Sequence, residues 1–161
     1  MTKLRLFVFA IFTVCVFSFS VSAQRNVTRA VDRDPLMEID AKHNLDVAWQ
    51  AFTPAKQAYK QVLSRFEETF AAYPDFSKID EFLYLAGMSS YYLSENKGKQ
   101  KVDLKSEKEK VKFAPEKLRE DAGLYLGMLV DKYPQSKYKT QAESALQLLK
   151  APKTAAAAPQ K

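Results

Sequence analysis

Hydrophobic positions along this chain recur at helical spacing, and prolines stop each run. Tyr59, Val62, Leu63, Phe66 and Phe70 fall at i, i+3, i+4, i+7 and i+11, one stripe of an amphipathic helix. Pro74 has no N–H to continue that helix, and its ring drives Tyr73 out of the α region, so the helix ends there. Leu124 to Pro134, LYLGMLVDKYP, repeats the arrangement and stops at Tyr133-Pro134. A polar turn follows each stop, DFSKID in one case and QSKYKT in the other, and a new helical pattern begins. Two copies of one helix–stop–helix unit predict a repeat architecture, in which each unit buries its apolar face only against its neighbours.

The remaining text fills in the helices around these two. Asp34-Pro35 predicts a helix start, with Asp as N-cap and Pro in the first turn. That helix is expected to run to about Phe52 and to bury Leu36, Ile39, Leu45, Ala48, Trp49 and Phe52. Thr53-Pro54 breaks it, and the short link to Tyr59 predicts antiparallel neighbours. Ser77 or Asp80 is the expected cap of a third helix, near Ile79 to Leu93. Its sequence, IDEFLYLAGMSSYYL, is apolar nearly all round, which predicts neighbours on two sides. Gly87 inside it costs about 1 kcal/mol relative to Ala, so another helix is expected to approach closely there. A fourth helix starts near Ala114-Pro115-Glu116 and runs to Lys132, carrying Leu118, Ala122, Leu124, Tyr125, Met128 and Leu129. A fifth, from Ser136 to Lys150, carries Ala142, Ala145, Leu146 and Leu149. No segment alternates long enough for a strand. The expected fold class is all-α, a short helical-repeat solenoid of about five helices and two and a half units over residues 34–150.

Composition changes this picture mainly at the ends and in one insert. Lys3 and Arg5, the apolar run Leu6 to Phe17 and the small residues Val21-Ser22-Ala23 have the anatomy of a secretory signal peptide over residues 1–23, with Gln24 as the first mature residue. The run is too short for a comfortable membrane span, which needs roughly 20 residues. Residues 24–33 are expected to be a flexible N-terminus, and Asn26-Val27-Thr28 fits a glycosylation sequon. The tail 151–161, APKTAAAAPQK, is low in complexity and expected to be disordered. Cys15, the only cysteine, lies within the signal, so no disulfide is expected in the secreted chain.

The formal charge is +6, and loss of Lys3 and Arg5 with the signal leaves +4. Residues 96–112 hold seven Lys against Asp103, Glu107 and Glu109, so the whole excess sits in a Lys-rich insert, 94–112. A nucleic-acid binder would spread its basic residues over one folded face, and no nucleic acid is expected as a partner. The insert is expected to be a solvated loop or a helix extension held by charge pairs. Lys97, Lys99, Lys101 and Lys105 are its candidates for contact with an anionic membrane surface, at about 1 kcal/mol per basic residue. Neither a phosphate-cradling glycine loop nor a nucleophile–base constellation is marked out. With His43 as the one histidine, a zinc site is not expected. Glu67-Glu68 and the Glu38/Asp40 pair are ordinary for an exposed helix face. No enzyme activity, metal or cofactor is expected.

The helix pairs and their Tyr-Pro stops resemble tetratricopeptide repeats. Ala41 to Pro74 matches that family's unit of about 34 residues. Tyr59, Val62 and Phe66 stand where its second helix carries an entry tyrosine, a small residue and an aromatic. In the second unit, 75–134, Ala86-Gly87 resembles the small-residue step of a first helix, Ala122 matches the small position, and Leu126 replaces the aromatic. The insert stretches this unit, and 136–150 resembles a capping half-repeat. More narrowly, YPDFSKIDEFLYLAGMSSYYL and YPQSKYKTQAESALQLL are similar to repeats of the BamD-like group of periplasmic proteins, over about residues 41–149. The chain departs from the lipoproteins of that group in having no cysteine directly after the signal, which implies a short unlipidated relative.

The resemblance implies a non-enzymatic periplasmic scaffold that binds envelope proteins, with outer membrane protein assembly and its barrel-assembly machine as the expected setting. By the same resemblance, the first helix of a pair lines a protein-binding groove, here Glu81, Tyr84, Met88, Tyr91 and Tyr92. The alternative is a peripheral cell-envelope module that coordinates cell-wall or division proteins and is anchored by its Lys-rich insert. An array this short is near the lower limit of stability, so homo-oligomerisation or docking to a partner is expected.

Overall fold

A computed structural model describes residues 33–103 and 105–150. The signal peptide, Cys15, the sequon at Asn26 and the tail 151–161 lie outside the described residues. Among the described residues six helices follow one another: α1, Pro35–Phe52; α2, Tyr59–Ala72; α3, Ile79–Ser94; α4, Glu107–Lys112; α5, Pro115–Lys132; and α6, Lys139–Lys150. There is no strand among the described residues. Each long helix packs on the next, and α3 with α5 forms the most extensive interface, followed by α1 with α2. The chain is thus all-α, with a repeat-like stacking of helix pairs α1/α2 and α3/α5 and the single helix α6.

The stops are built alike, bond for bond. Tyr73 N–H donates to the Thr69 carbonyl, Phe76 N–H to Tyr73, Ile79 N–H to Phe76, and Phe82 N–H to Lys78. Tyr133 donates to Leu129, Ser136 to Tyr133, Lys139 to Ser136 and Ala142 to Tyr138 in the same order. Proline ends the helix in each case, and the following turn re-nucleates one at the same register. Side chains then individualise the two turns. Phe76 is buried as a wedge, whereas Ser136 uses its hydroxyl to donate to Asp80 at 2.6 Å.

Phe66 shows where the core sits. It is 1% exposed on α2, and its ring meets Phe82 of α3 at 5.7 Å and Tyr125 of α5 at 4.8 Å, both edge-on. Edge-to-face pairing adds to the burial of these large rings. Gly87 of α3 faces Leu126 of α5 directly, where an added Cβ would lie 2.5 Å from Leu126 Cγ. Small residues along α3, with Ala86, Gly87, Ser89 and Ser90 all buried, let its neighbours approach on either side. The hydroxyls of Ser89 and Ser90 are buried without a hydrogen-bond partner among the described residues, and the structure offers no physical account of that.

Several expectations need correcting. Asp34 does cap α1, its carboxylate accepting from Leu36 and Met37 N–H, but Leu36 and Ile39 are 74% and 63% exposed. They lie on the face of α1 turned away from α2, while Ala41 and Ala51 take the buried register. Leu124 is likewise 57% exposed, and Leu126 lies in the core in its stead. Neither Ser77 nor Asp80 caps α3, whose N-cap is Lys78 without a side-chain bond. Ser77 N–H instead donates to the Glu38 carboxylate on α1. The last helix starts at Lys139, not Ser136, because Ser136 is held in the turn.

The insert is not a solvated loop. It contains α4 and is strapped across the start of α2. Lys99 donates through its backbone N–H to the Gln57 carbonyl and through Nζ to that of Ala55, at 3.1 and 2.6 Å. Gln100 Oε1 accepts from Gln61 N–H at 3.2 Å, a second acceptor beside the Ala58 carbonyl at 3.0 Å and the side-chain one that the N-cap Ala58 cannot provide. Lys60 pairs with Glu109 at 2.7 Å, and Lys112 with Glu67 at 2.6 Å. Long-range partners on α2 decided this, and local composition carries no trace of them.

Candidate functional site

Helix α3 is buried on most of its circumference. Its only residues that are not buried are Asp80, Glu81, Tyr84, Met88, Tyr91 and Tyr92. The last five are the groove residues implied by the resemblance. At 3.6 residues per turn they line one face of the helix, and all five are half-buried. The structure therefore brings them together, but it engages them to very different degrees.

At the N-terminal end of the face, Glu81 is occupied. Its Oε1 accepts from Trp49 Nε1 at 2.6 Å and from the Tyr138 hydroxyl at 3.0 Å, so residues of α1 and of the turn before α6 meet over α3. Tyr84 stacks on Tyr138 with centroids 4.6 Å apart and planes 13° from parallel. Trp49 lies 6.0 Å from the same ring. The Lys137 ammonium sits over the Tyr138 ring, 4.8 Å from its centroid, a cation–π contact.

The C-terminal end is a second aromatic group. Tyr92 packs against Phe52 of α1 at 6.1 Å and Tyr59 of α2 at 5.2 Å. Tyr91 has Tyr92 as its ring neighbour, at 5.7 Å. Lys97 stands over both rings, 5.9 Å from Tyr91 and 5.7 Å from Tyr92. Its position follows from how α3 ends. Asn96 takes a left-handed conformation, φ 55°, while Lys97 N–H bonds the Tyr92 carbonyl and Asn96 N–H that of Leu93. This is the Schellman pattern of helix termination, and it turns Lys97 back over the tyrosines. Met88 lies between the two groups, in the middle of the face.

Burial pushes the hydroxyls of Tyr59, Tyr84 and Tyr138 above their ordinary value of 10.0. They are therefore neutral around pH 7. The face as a whole is an aromatic and thioether strip with an ammonium at each end. Tyr84, Met88 and Tyr92 also pack against the core, whereas Tyr91 is held only through the Tyr92 ring and Lys97 among the described residues.

The four lysines singled out in the insert do not share one role. Lys97 belongs to the aromatic face, and the Lys99 ammonium is bonded to a backbone carbonyl. Lys101 is exposed and lends its carbonyl to Lys60, at 3.2 Å. Lys105 is exposed, with its N–H on Asp103. Glu107 further offsets the charge by pairing with Lys110.

Sequence reasoning missed Trp49, Phe52 and Tyr138 as members of the face. The first two were legible as apolar positions of α1, but Tyr138 stands in a turn that looks wholly polar. His43 is exposed on α1. No group of three or more His, Cys, Asp or Glu that could hold a metal ion occurs among the described residues. No helix among them is long and apolar enough to cross a membrane. Comparison with family models, with curated proteins and with solved structures finds no match to this chain.

Proposed function

We propose that the chain is a non-enzymatic scaffold of the bacterial periplasm that binds an envelope protein along the exposed face of α3, in outer membrane protein assembly. The observation that carries this reading is the face itself, on which Tyr84, Met88, Tyr91 and Tyr92 remain half-exposed on an otherwise buried helix. Aromatic and Met side chains are the types that dominate binding energy at protein interfaces. Lys137 and Lys97, one at each end, favour an extended partner segment with an apolar residue over Met88 and acidic residues on either side. The periplasmic setting rests on the signal-like first 23 residues and on the resemblance to BamD-like repeats.

The rival reading, a peripheral module anchored through the insert, has less support, because the Lys99 and Lys112 side chains are bonded within the chain. The test is affinity capture of the tagged protein from detergent-solubilised envelopes, read by mass spectrometry. Met88→Glu and Tyr91→Ala are chosen because Met88 is the centre of the face and Tyr91 is its aromatic member not packed against the core. Loss of the barrel-assembly subunits in both variants, with unchanged far-UV circular dichroism, is the expected result. Recovery of the same subunits by the double variant would refute the face as the binding site.

A further inference from the structure

A cavity of about 710 Å³ lies between the last turn of α3, the insert, α4 and the start of α5. That is within the range of small-molecule sites, about 300–1,000 Å³, and suits a whole ligand better than one inserted side chain. Leu93, Val102, Val111, Phe113 and Pro115 supply its apolar wall. Leu93 and Phe113 are buried members of the core, so the floor of the cavity is continuous with it. Val111 is the only apolar residue of α4, EKEKVK, yet it stands 67% exposed at the cavity.

The polar groups of the wall are few, and the one charged residue among the described lining is Lys110. Asn96 and Lys110 line it, whereas the Ser94 hydroxyl is committed to the Tyr91 carbonyl at 2.7 Å. No carboxylate is among the described lining residues. Among the described residues the Lys110 ammonium is paired with Glu107 alone, at 3.4 Å, with both side chains more than half exposed, so water already competes for that pair and a better acceptor would displace it. The surrounding segment 96–112 carries a net positive charge, which raises the local concentration of anions.

We propose that this cavity binds a single-chain anionic amphiphile: an acyl chain against Leu93, Val102, Val111 and Phe113, and a carboxylate on the Lys110 ammonium. The apolar wall selects the chain, and the lysine without a carboxylate neighbour in the wall selects the head group.

The experiment is displacement of anilinonaphthalene sulfonate from the full chain by monomeric dodecanoate, dodecanol and dodecyltrimethylammonium. Dodecanoate is expected to displace the dye saturably, more tightly than either of the others. Lys110→Glu should weaken dodecanoate by about tenfold or more, since a charge-assisted hydrogen bond is lost and a repulsion added. The same variant should leave dodecanol nearly unchanged. Val111→Trp fills the mouth from an exposed position and should weaken both, with unchanged circular dichroism. No displacement by dodecanoate, equal binding of the cationic chain, or dodecanoate binding unaffected by both variants would each overturn the assignment. Binding seen only with phosphatidylglycerol vesicles and reversed by salt would also overturn it, moving the segment's role to a bilayer surface.

Discussion

Three glycines sit inside long helices, and the structure assigns them opposite responses to a single methyl group. Replacing a helix-interior Gly by Ala gains about 1 kcal/mol from backbone propensity. At Gly123 and Gly127 of α5 an added Cβ has no atom within 4 Å, so the gain is unopposed and each substitution should stabilise by about 0.5–1 kcal/mol. At Gly87 the same Cβ meets Leu126 Cγ at 2.5 Å and Cδ2 at 2.7 Å. Cγ is the branch point of the side chain, and Leu126 is fully buried. Relief therefore requires a change of the Leu126 rotamer or separation of α3 from α5 along their main interface. Overpacking of that kind costs about 1–3 kcal/mol. The upper part of that range applies, and Gly87→Ala should destabilise by a net of about 1–2 kcal/mol.

The cycle with Leu126 isolates the cause. Leu126→Ala alone should cost about 2–5 kcal/mol, because it leaves a cavity beside Gly87. In that background the new methyl enters the cavity, and Gly87→Ala should become stabilising by about 1 kcal/mol. The sign change corresponds to a coupling of about 2–3 kcal/mol, within the range seen for residues in contact. Urea denaturation followed by circular dichroism of the four variants is sufficient. If Gly87→Ala stabilises the chain as Gly123→Ala does, the close approach of α3 to α5 is wrong.

Three further outcomes follow from side-chain chemistry. Glu109 is held below its ordinary value of 4.5 by the hydrogen bond from Lys60 and then by that from Asp103 N–H, so its contribution is present above 4.5 and is lost as pH falls through the lowered value. Amide exchange should show residues 99–112 opening in acid before the long helices, and Glu109→Gln should remove that pH dependence; an unchanged acid profile in the variant would contradict the strap. Tyr125 is pushed up to about 12 by burial, with Asp121 and Glu67 adding to the effect. Its neutral form therefore stabilises the fold below pH 10.0, and the contribution is lost as pH rises from there through about 12. Phenolate absorbance should show a late-titrating tyrosine that is missing in Tyr125→Phe, and a variant with the same titration curve would refute the assignment. Glu81→Ala leaves Trp49 N–H and Tyr138 O–H without their acceptor and should cost about 1 kcal/mol. It should also shift the emission of the one tryptophan, whereas Glu81→Gln should retain most of both; unaltered emission in the alanine variant would break the proposed bridge.

Helix identity and helix ends were legible because they rest on local chemistry. Asp34 and Pro35 start α1 by supplying an acceptor and a preset φ, and Pro74 and Pro134 end α2 and α5 by lacking an N–H. None of these effects needs a partner element. Gly87 was legible for the same reason, since a costly residue inside a helix implies a neighbour that requires the space. The face of α3 was named through the resemblance alone, which implies Glu81, Tyr84, Met88, Tyr91 and Tyr92 on one side, since the helix is apolar nearly all round and its own period marks no face.

Periodicity cannot separate two apolar registers of one helix, and so Leu36 and Ile39 were expected in the core that Ala41 and Ala51 occupy. The sequence by itself determined that this chain forms long helices, where most of them stop, and that two of its turns are copies. Only the tertiary structure decided that α1 turns Leu36 and Ile39 outward and α5 turns Leu124 outward, that the Lys-rich insert straps α2 through Lys99, Gln100 and Glu109, and that Trp49 and Tyr138 close over Glu81. Caps and prolines act within a few residues of themselves. Burial and ion pairing depend on partners tens of residues away, and which partner arrives is set by packing all the helices at once.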